Sequence, residues 1–167
     1  MHTLYLLRHA KSSWDDSSLT DHERPLAPRG VHAGAAIAAY LESRDVQVDL
    51  VLCSTAVRTR QTLDLIMPAL GDPPVEFEDE LYAASDDTLI ERLRRVPDSA
   101  RSVMVIGHNP GMHDLALRLA AGGDRLPQLA AKFPTAALAT LELGSQRWSE
   151  CDQDARLADY VVPRELG

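Results

Sequence analysis

An arginine and a histidine close an apolar run in Leu4-Tyr5-Leu6-Leu7-Arg8-His9. A buried strand has no use for two such residues side by side, whereas a phosphate site does. The imidazole offers a nitrogen nucleophile near neutral pH, and the guanidinium offers a fork of donors for phosphate oxygens. Two other apolar runs end in matching residue types. Cys53-Ser54 is followed by Arg58, and Ile106 is followed by Gly107-His108-Asn109-Pro110-Gly111. Each ending alone has an ordinary explanation: a surface salt bridge for Arg8-His9, a turn histidine bonding its own backbone for His108, a helix ion pair for Arg58. Their joint occurrence points to two histidines and two arginines around one phosphoryl group.

The elements between these endings must bring them together. Leu4 to Leu7, Val48 to Cys53, Val75 to Phe77 and Ser102 to Ile106 read as short buried strands. Helical spacing appears in Val31, Gly34, Ile37, Ala38 and Leu41, then in Leu63, Ile66, Met67 and Leu70. It recurs in Leu89, Ile90, Leu93 and Val96, and in Met112, Leu115, Ala116 and Leu119. Ser54 or Thr55 is the expected cap of the second helix, Asp86 or Asp87 of the third, and Gly122-Gly123 the end of the fourth. Ala137 to Leu143 and Arg147 to Cys151 suggest a hairpin around Gly144-Ser145, and the tail from Leu157 adds an edge segment or packs on the surface. This order predicts a single α/β domain over residues 1–167, a three-layer α/β/α sandwich. Its sheet is largely parallel with an antiparallel edge strand. Parallel neighbours place the three endings on one sheet edge beside two helix N-termini, whose free N–H groups favour an anion.

Composition narrows the function classes. Seventeen basic against 25 acidic residues give a net charge of −8. That argues against general nucleic-acid binding and against adsorption to an anionic membrane, but not against holding one phosphate. No stretch reaches the length of an apolar membrane span, and no signal peptide is evident, so the expected location is the cytoplasm. Cys53 and Cys151 form no CxxC pair and are expected to be reduced thiols. His108 and His113 lack metal-ligand spacing, and no HExxH, P-loop or GxGxxG is present, so neither metal nor cofactor is expected.

Leu7-Arg8-His9-Ala10 resembles the RHG signature of the histidine phosphatase (phosphoglycerate mutase-like) superfamily, with Ala10 in the glycine place. Ser54-Thr55-Ala56-Val57-Arg58-Thr59-Arg60-Gln61-Thr62 is similar to that family's S-P-x-x-R-x-x-Q-T segment, and Val105-Ile106-Gly107-His108-Asn109 to its second histidine motif. Arg8-His9-Ala10-Lys11-Ser12, the Asp21 to Gly30 stretch and Leu81-Tyr82-Ala83-Ala84 further resemble the small SixA-like phosphohistidine phosphatases. The resemblance implies a phosphoglycerate mutase-like fold. It also implies that His9 accepts the phosphoryl group, that Arg8 and Arg58 hold its oxygens, and that His108 is a further donor to them. Lys11 and Ser12 either touch the substrate or belong to a solvated loop. Asn109 either caps the following helix or faces the site, and Arg24 and Arg29 brace the loop.

Many members of the family carry a glutamate general acid two residues after a leucine, and here Leu81 is followed by Tyr82 and Ala83. An alkoxide leaving group needs a proton as its bond breaks, whereas imidazole takes one readily near neutral pH. The absence therefore favours phosphohistidine in a protein, of the phosphorelay or phosphotransfer type, over a small phosphorylated molecule. Asp21, Asp79, Glu80 and Asp86 are the other carboxylates within sequence reach, and the proton donor stays unassigned. The rival readings are a small-molecule phosphomonoesterase or mutase of the same superfamily and a non-catalytic phospho-ligand binding module.

Overall fold

The computed structural model describes residues 2–152 and 154–166. Seven strands form one sheet: β1 (His2–Arg8), β2 (Leu50–Ser54), β3 (Val75–Glu78), β4 (Ser102–Gly107), β5 (Ala120–Gly122), β6 (Leu138–Leu143) and β7 (Ala155–Val161). Their order across the sheet is β3-β2-β4-β1-β6-β7-β5. The helices are α1 (Pro28–Ser43), α2 (Val57–Ile66), α3 (Asp86–Arg94), α4 (Gly111–Leu119) and α5 (Leu126–Ala131). The sheet is largely parallel, as expected. Its antiparallel part lies toward one side, where β6 runs against both β1 and β7, and β5 completes that edge.

Successive residues of a strand face opposite sides, and both sides of the central strands are apolar here, so both need a helical cover. Leu4, Leu6, Val103 and Val105 pack with α3 and α4 through Leu89, Leu93, Met112 and Leu115. Leu7, Met104 and Ile106 pack on the other side with α1 and α2 through Ile37, Leu41, Leu63 and Ile66. Each of these side chains contributes about 1.5–3 kcal/mol through its removal from water. The two cores make the three layers, and they fix the central strands rigidly in register.

That register positions the chemistry. Arg8 pairs with Gly107 and Cys53 with Ile106 across parallel neighbours. His9, His108 and Ser54 therefore leave three adjacent strands within a residue step of one another.

Several expectations need correction. Arg147–Cys151 is not the second arm of a hairpin. Trp148–Glu150 is a 3₁₀ turn, held by Trp148 donating its backbone N–H to Asp98 and its indole N–H to Ala100. The strand partner of β6 is β7 instead. Helix α4 stops at Leu119, before Gly122-Gly123, because Ala120–Gly122 forms β5 against β7. Neither Ser54 nor Thr55 caps α2, whose first flanking residue is Ala56. Ser85, not Asp86 or Asp87, caps α3 by accepting from Thr88 N–H. Asp86 and Asp87 are drawn instead to Arg118.

Candidate functional site

His9 leaves the end of β1 and is buried. Its backbone N–H donates to the Gly107 carbonyl of β4, which fixes where the ring begins. Its Nδ1–H donates to the Ala10 carbonyl at 2.7 Å. A neutral imidazole that donates at Nδ1 carries its lone pair on Nε2, and this settles the tautomer. Burial holds the His9 ring down to about pKa 4, and the Arg58, Arg8 and Arg24 charges act in the same direction. The nitrogen is therefore unprotonated throughout the neutral range. Burial contributes more than the three arginine charges.

His108 leaves the end of β4, with ring centroids 5.3 Å from His9. Ser54, at the end of β2, places its Oγ 2.8 Å from His108 Nε2. The same Oγ accepts from Ala56 N–H at 3.3 Å. His108 Nδ1 is buried with no hydrogen-bond partner among the described residues. Burial, followed by the neighbouring His9, lowers the His108 pKa to about 3. Both histidines are thus neutral in the folded protein.

Arg58 sits in the first turn of α2 and is buried. Its guanidinium donates to the Asp21 carbonyl at 2.7 Å and to the Asp21 carboxylate at 3.0 Å. Asp21 also accepts from Arg24 Nε and from the Tyr82 hydroxyl, and these donors hold its carboxyl well below the usual range. Thr62 ties the two sides together. It accepts from Ala10 N–H at 3.0 Å and donates to the Arg58 carbonyl at 2.7 Å. Arg8 donates to the Phe133 carbonyl at 3.2 Å. The Nε–H groups of both Arg8 and Arg58 are buried and unpartnered among the described residues.

The structure thus gathers Arg8, His9, Arg58 and His108 at one edge of the sheet. The lesser candidates fall elsewhere in the network. Ser12 Oγ is buried and accepts from Arg24 at 2.7 Å. Arg24 also contacts the exposed Trp14 ring at 3.5 Å, so it braces the loop as anticipated. Asn109 donates to the Phe133 carbonyl at 2.8 Å and accepts from His113 N–H in the first turn of α4. Lys11 is exposed beside α1, where Gly30 is required because a Cβ would collide with the Lys11 carbonyl. No cluster of potential metal ligands occurs among the described residues.

Four residues organise this site in ways the sequence did not suggest: Asp21, read there only as a possible proton donor, Ser54, read only as a possible helix cap, and Thr62 and Tyr82, which were given no role. Ser54 and Thr62 stand inside the quoted S-T-A-V-R-T-R-Q-T run, which was the available signal for them. Asp21 reaches Arg58 across 37 positions, which no local pattern reveals.

The matching family model is that of the histidine phosphatase superfamily (branch 1), over residues 4–83. An uncharacterized protein of Mycobacterium tuberculosis is 38% identical over 164 residues, covering 95% of this chain and 100% of its own. The chain belongs to this superfamily. Its SixA-like character is equally plain. A solved structure described as a proposed phosphohistidine phosphatase SixA from Nakamurella multipartitia superposes with a TM-score of 0.83 at 32% identity, over 97% of this chain and 96% of that one. The phosphohistidine phosphatase SixA of Escherichia coli is 28% identical over 95% of this chain and 99% of its own. The chain is thus a phosphatase of the histidine phosphatase superfamily, and no helix among the described residues is long and apolar enough to cross a membrane.

A pH dependence of stability follows from the two neutral histidines of this phosphatase. Their folded pKa values, about 4 and about 3, lie below the ordinary 6.5. A group depressed in this way lends full stability above its unfolded pKa and loses it as pH falls toward the folded value. Between about pH 7 and pH 5 each histidine withdraws ~2 kcal/mol. Urea titrations at the two pH values are expected to show a midpoint lowered accordingly at pH 5. Equal midpoints would mean that the histidines are charged in the folded state.

Proposed function

We propose that the protein hydrolyses phosphohistidine in a protein substrate through a phospho-His9 intermediate. One observation carries the reading. Two buried donors, Arg8 Nε and Arg58 Nε, and the buried ring nitrogen His108 Nδ1 lack partners beside a neutral imidazole whose Nε2 is left free by the Nδ1 hydrogen bond. Buried donors are normally satisfied, and several convergent donors with two cationic owners suit a phosphoryl group.

In this reading His9 Nε2 attacks phosphorus in line with the departing imidazole of the substrate. The nitrogen–phosphorus bond of the substrate breaks as a new one forms to His9. The departing imidazole leaves with the bonding pair and takes a proton from water. Arg8, Arg58 and His108 together carry the charge that builds on the phosphoryl oxygens. Water then attacks the phospho-His9 phosphorus, releasing phosphate and restoring the free ring. Each half of the reaction avoids an alkoxide leaving group.

The carboxylates support the same choice of substrate. Glu80 is paired with Arg95 and lies near Arg92, Asp86 is paired with Arg118, and Asp79 accepts from Thr55. Asp21 is ionised and surrounded by donors. Ala83, where many relatives hold the acid, is exposed with φ of 55°. Its segment abuts the start of α4, where Gly111 is required because a Cβ would strike the Ala84 carbonyl. A general acid commonly contributes about 10²–10⁴ in rate. Phosphohistidine is therefore expected to turn over at least about a hundredfold faster than an alkyl phosphate. Parallel assays on a phosphohistidine peptide and on a panel of sugar phosphates measure the ratio. A reversed ratio would reassign the protein as a small-molecule phosphomonoesterase.

A further inference from the structure

A cavity of about 680 Å³ lies beside the phosphate site rather than in it. Its charged lining is Lys11, Arg29, Lys132 and Arg164, and it contains no Asp or Glu. Lys11 and Lys132 are the only lysines in the chain. A protein with net charge −8 has thus placed both its lysines and two arginines on one concavity. None of the four forms an ion pair among the described residues, although Arg24, Arg58, Arg92, Arg94, Arg95, Arg118, Arg125, Arg147 and Arg156 all do. Four neighbouring cations outside any ion pair make this concavity positive on an otherwise acidic protein, which favours an anionic partner there.

We propose that this groove docks an acidic segment of the phosphorylated protein substrate. The inference rests on the reading of a protein substrate given above. Three features select an acidic chain over a single small anion. First, the four cations are exposed, unlike the buried donors of the phosphate site, so they meet a solvated partner. Second, they come from four separate stretches: the turn after β1, the start of α1, the turn before β6 and the tail after β7. Charges spread over four stretches match a row of carboxylates. Third, Ala33, Ala36 and Val162 add apolar lining between them, which gives side chains of a peptide something to cover.

The groove is also continuous with the phosphate site through the backbone. Lys11 stands two residues beyond His9. Lys132 precedes Phe133, whose carbonyl accepts from Arg8. Thr135 precedes Ala136, whose N–H donates to the carbonyls of both Arg8 and His9. A segment held in the groove would therefore present its neighbouring residues to His9. Elsewhere the acidic surface repels such a partner, so the groove also sets its orientation.

The test uses the full chain and two probes, a fluorescent hexaglutamate peptide and inorganic tripolyphosphate. Arg29→Glu, Lys132→Glu and Arg164→Glu together are expected to weaken hexaglutamate binding at low salt by about tenfold or more. They should raise KM for an acidic phosphohistidine peptide by a similar factor and leave turnover of phosphoramidate unchanged. The milder glutamine set should give a smaller loss in the same direction, which guards against misfolding of the reversed variant. Arg44→Glu, Arg101→Glu and Arg147→Glu, on the turns at the opposite end of the sheet, carry the same net charge and should change nothing. Equal losses in both sets, or none in the first, would overturn the proposal. So would tripolyphosphate binding that depends on the groove where hexaglutamate does not bind. If hexaglutamate binds through these three cations while phosphohistidine is not hydrolysed, the groove stands and the substrate reading falls.

Discussion

His9→Ala is expected to lower turnover of phosphohistidine by at least about ten-thousandfold, because removal of a covalent nucleophile commonly costs this much or more. The loss should be in kcat, and no acid-labile phosphate should appear on the protein after brief exposure to labelled phosphoramidate and an alkaline quench. The wild-type protein should carry that label on His9. The variant is expected to fold. The ring's hydrogen bond at Nδ1 goes only to the adjacent Ala10 carbonyl, and His9's two other contacts, with Gly107 and Ala136, are made by its backbone. It should also be less sensitive to acid than the wild type, since one of the two depressed histidines has gone. Label on another residue, or activity within about tenfold of the wild type, would remove His9 from the mechanism. A binding module would show a different pattern, in which phosphopeptide affinity survives the substitution and no phosphate is released from either protein.

The contrast between what the chain reveals and what it hides has a physical basis. The three strand endings were legible because buried parallel strands must be apolar throughout, so a cation or imidazole at the end stands out. Their convergence followed from parallel pairing alone, and the Arg8–Gly107 register delivers it. The Trp148 turn was misread because five residues with alternating character fit a strand and an irregular buried segment equally well. What decides it is a pair of hydrogen bonds to Asp98 and Ala100, some 50 positions away. Strand β5 has the sequence Ala-Ala-Gly, with no strand propensity of its own, and exists because β7 offers an edge. Helix α2 has an alanine, Ala56, at its cap position, while Ser54 and Thr55 have other partners, His108 and Asp79. Functional demands thus displaced the local capping rule at the very helix that carries Arg58.

That displacement bears on how Arg58 works. Two of its N–H groups are committed to Asp21, and Nε–H remains unpartnered among the described residues. The guanidinium is therefore aimed before a phosphate arrives, and little reorganisation is left for the reaction. Arg58→Ala is expected to lower kcat by about a hundred- to a thousandfold, equivalent to roughly 3–4 kcal/mol of barrier. Charge alone should not restore it. Arg58→Lys keeps the cation but loses the planar fork that grips Asp21 and phosphate at once, so most of the loss should persist. Asp21→Asn tests the aiming separately. It retains the backbone carbonyl bond and the size of the side chain but removes the charge, and should cost about tenfold, less than either arginine variant. Stopped assays with a phosphohistidine peptide give kcat and KM for all three. A lysine variant as active as the wild type would show that the site needs only a positive charge at this position. An Asp21→Asn variant as impaired as Arg58→Ala would show instead that Asp21 acts on the substrate itself rather than through the arginine.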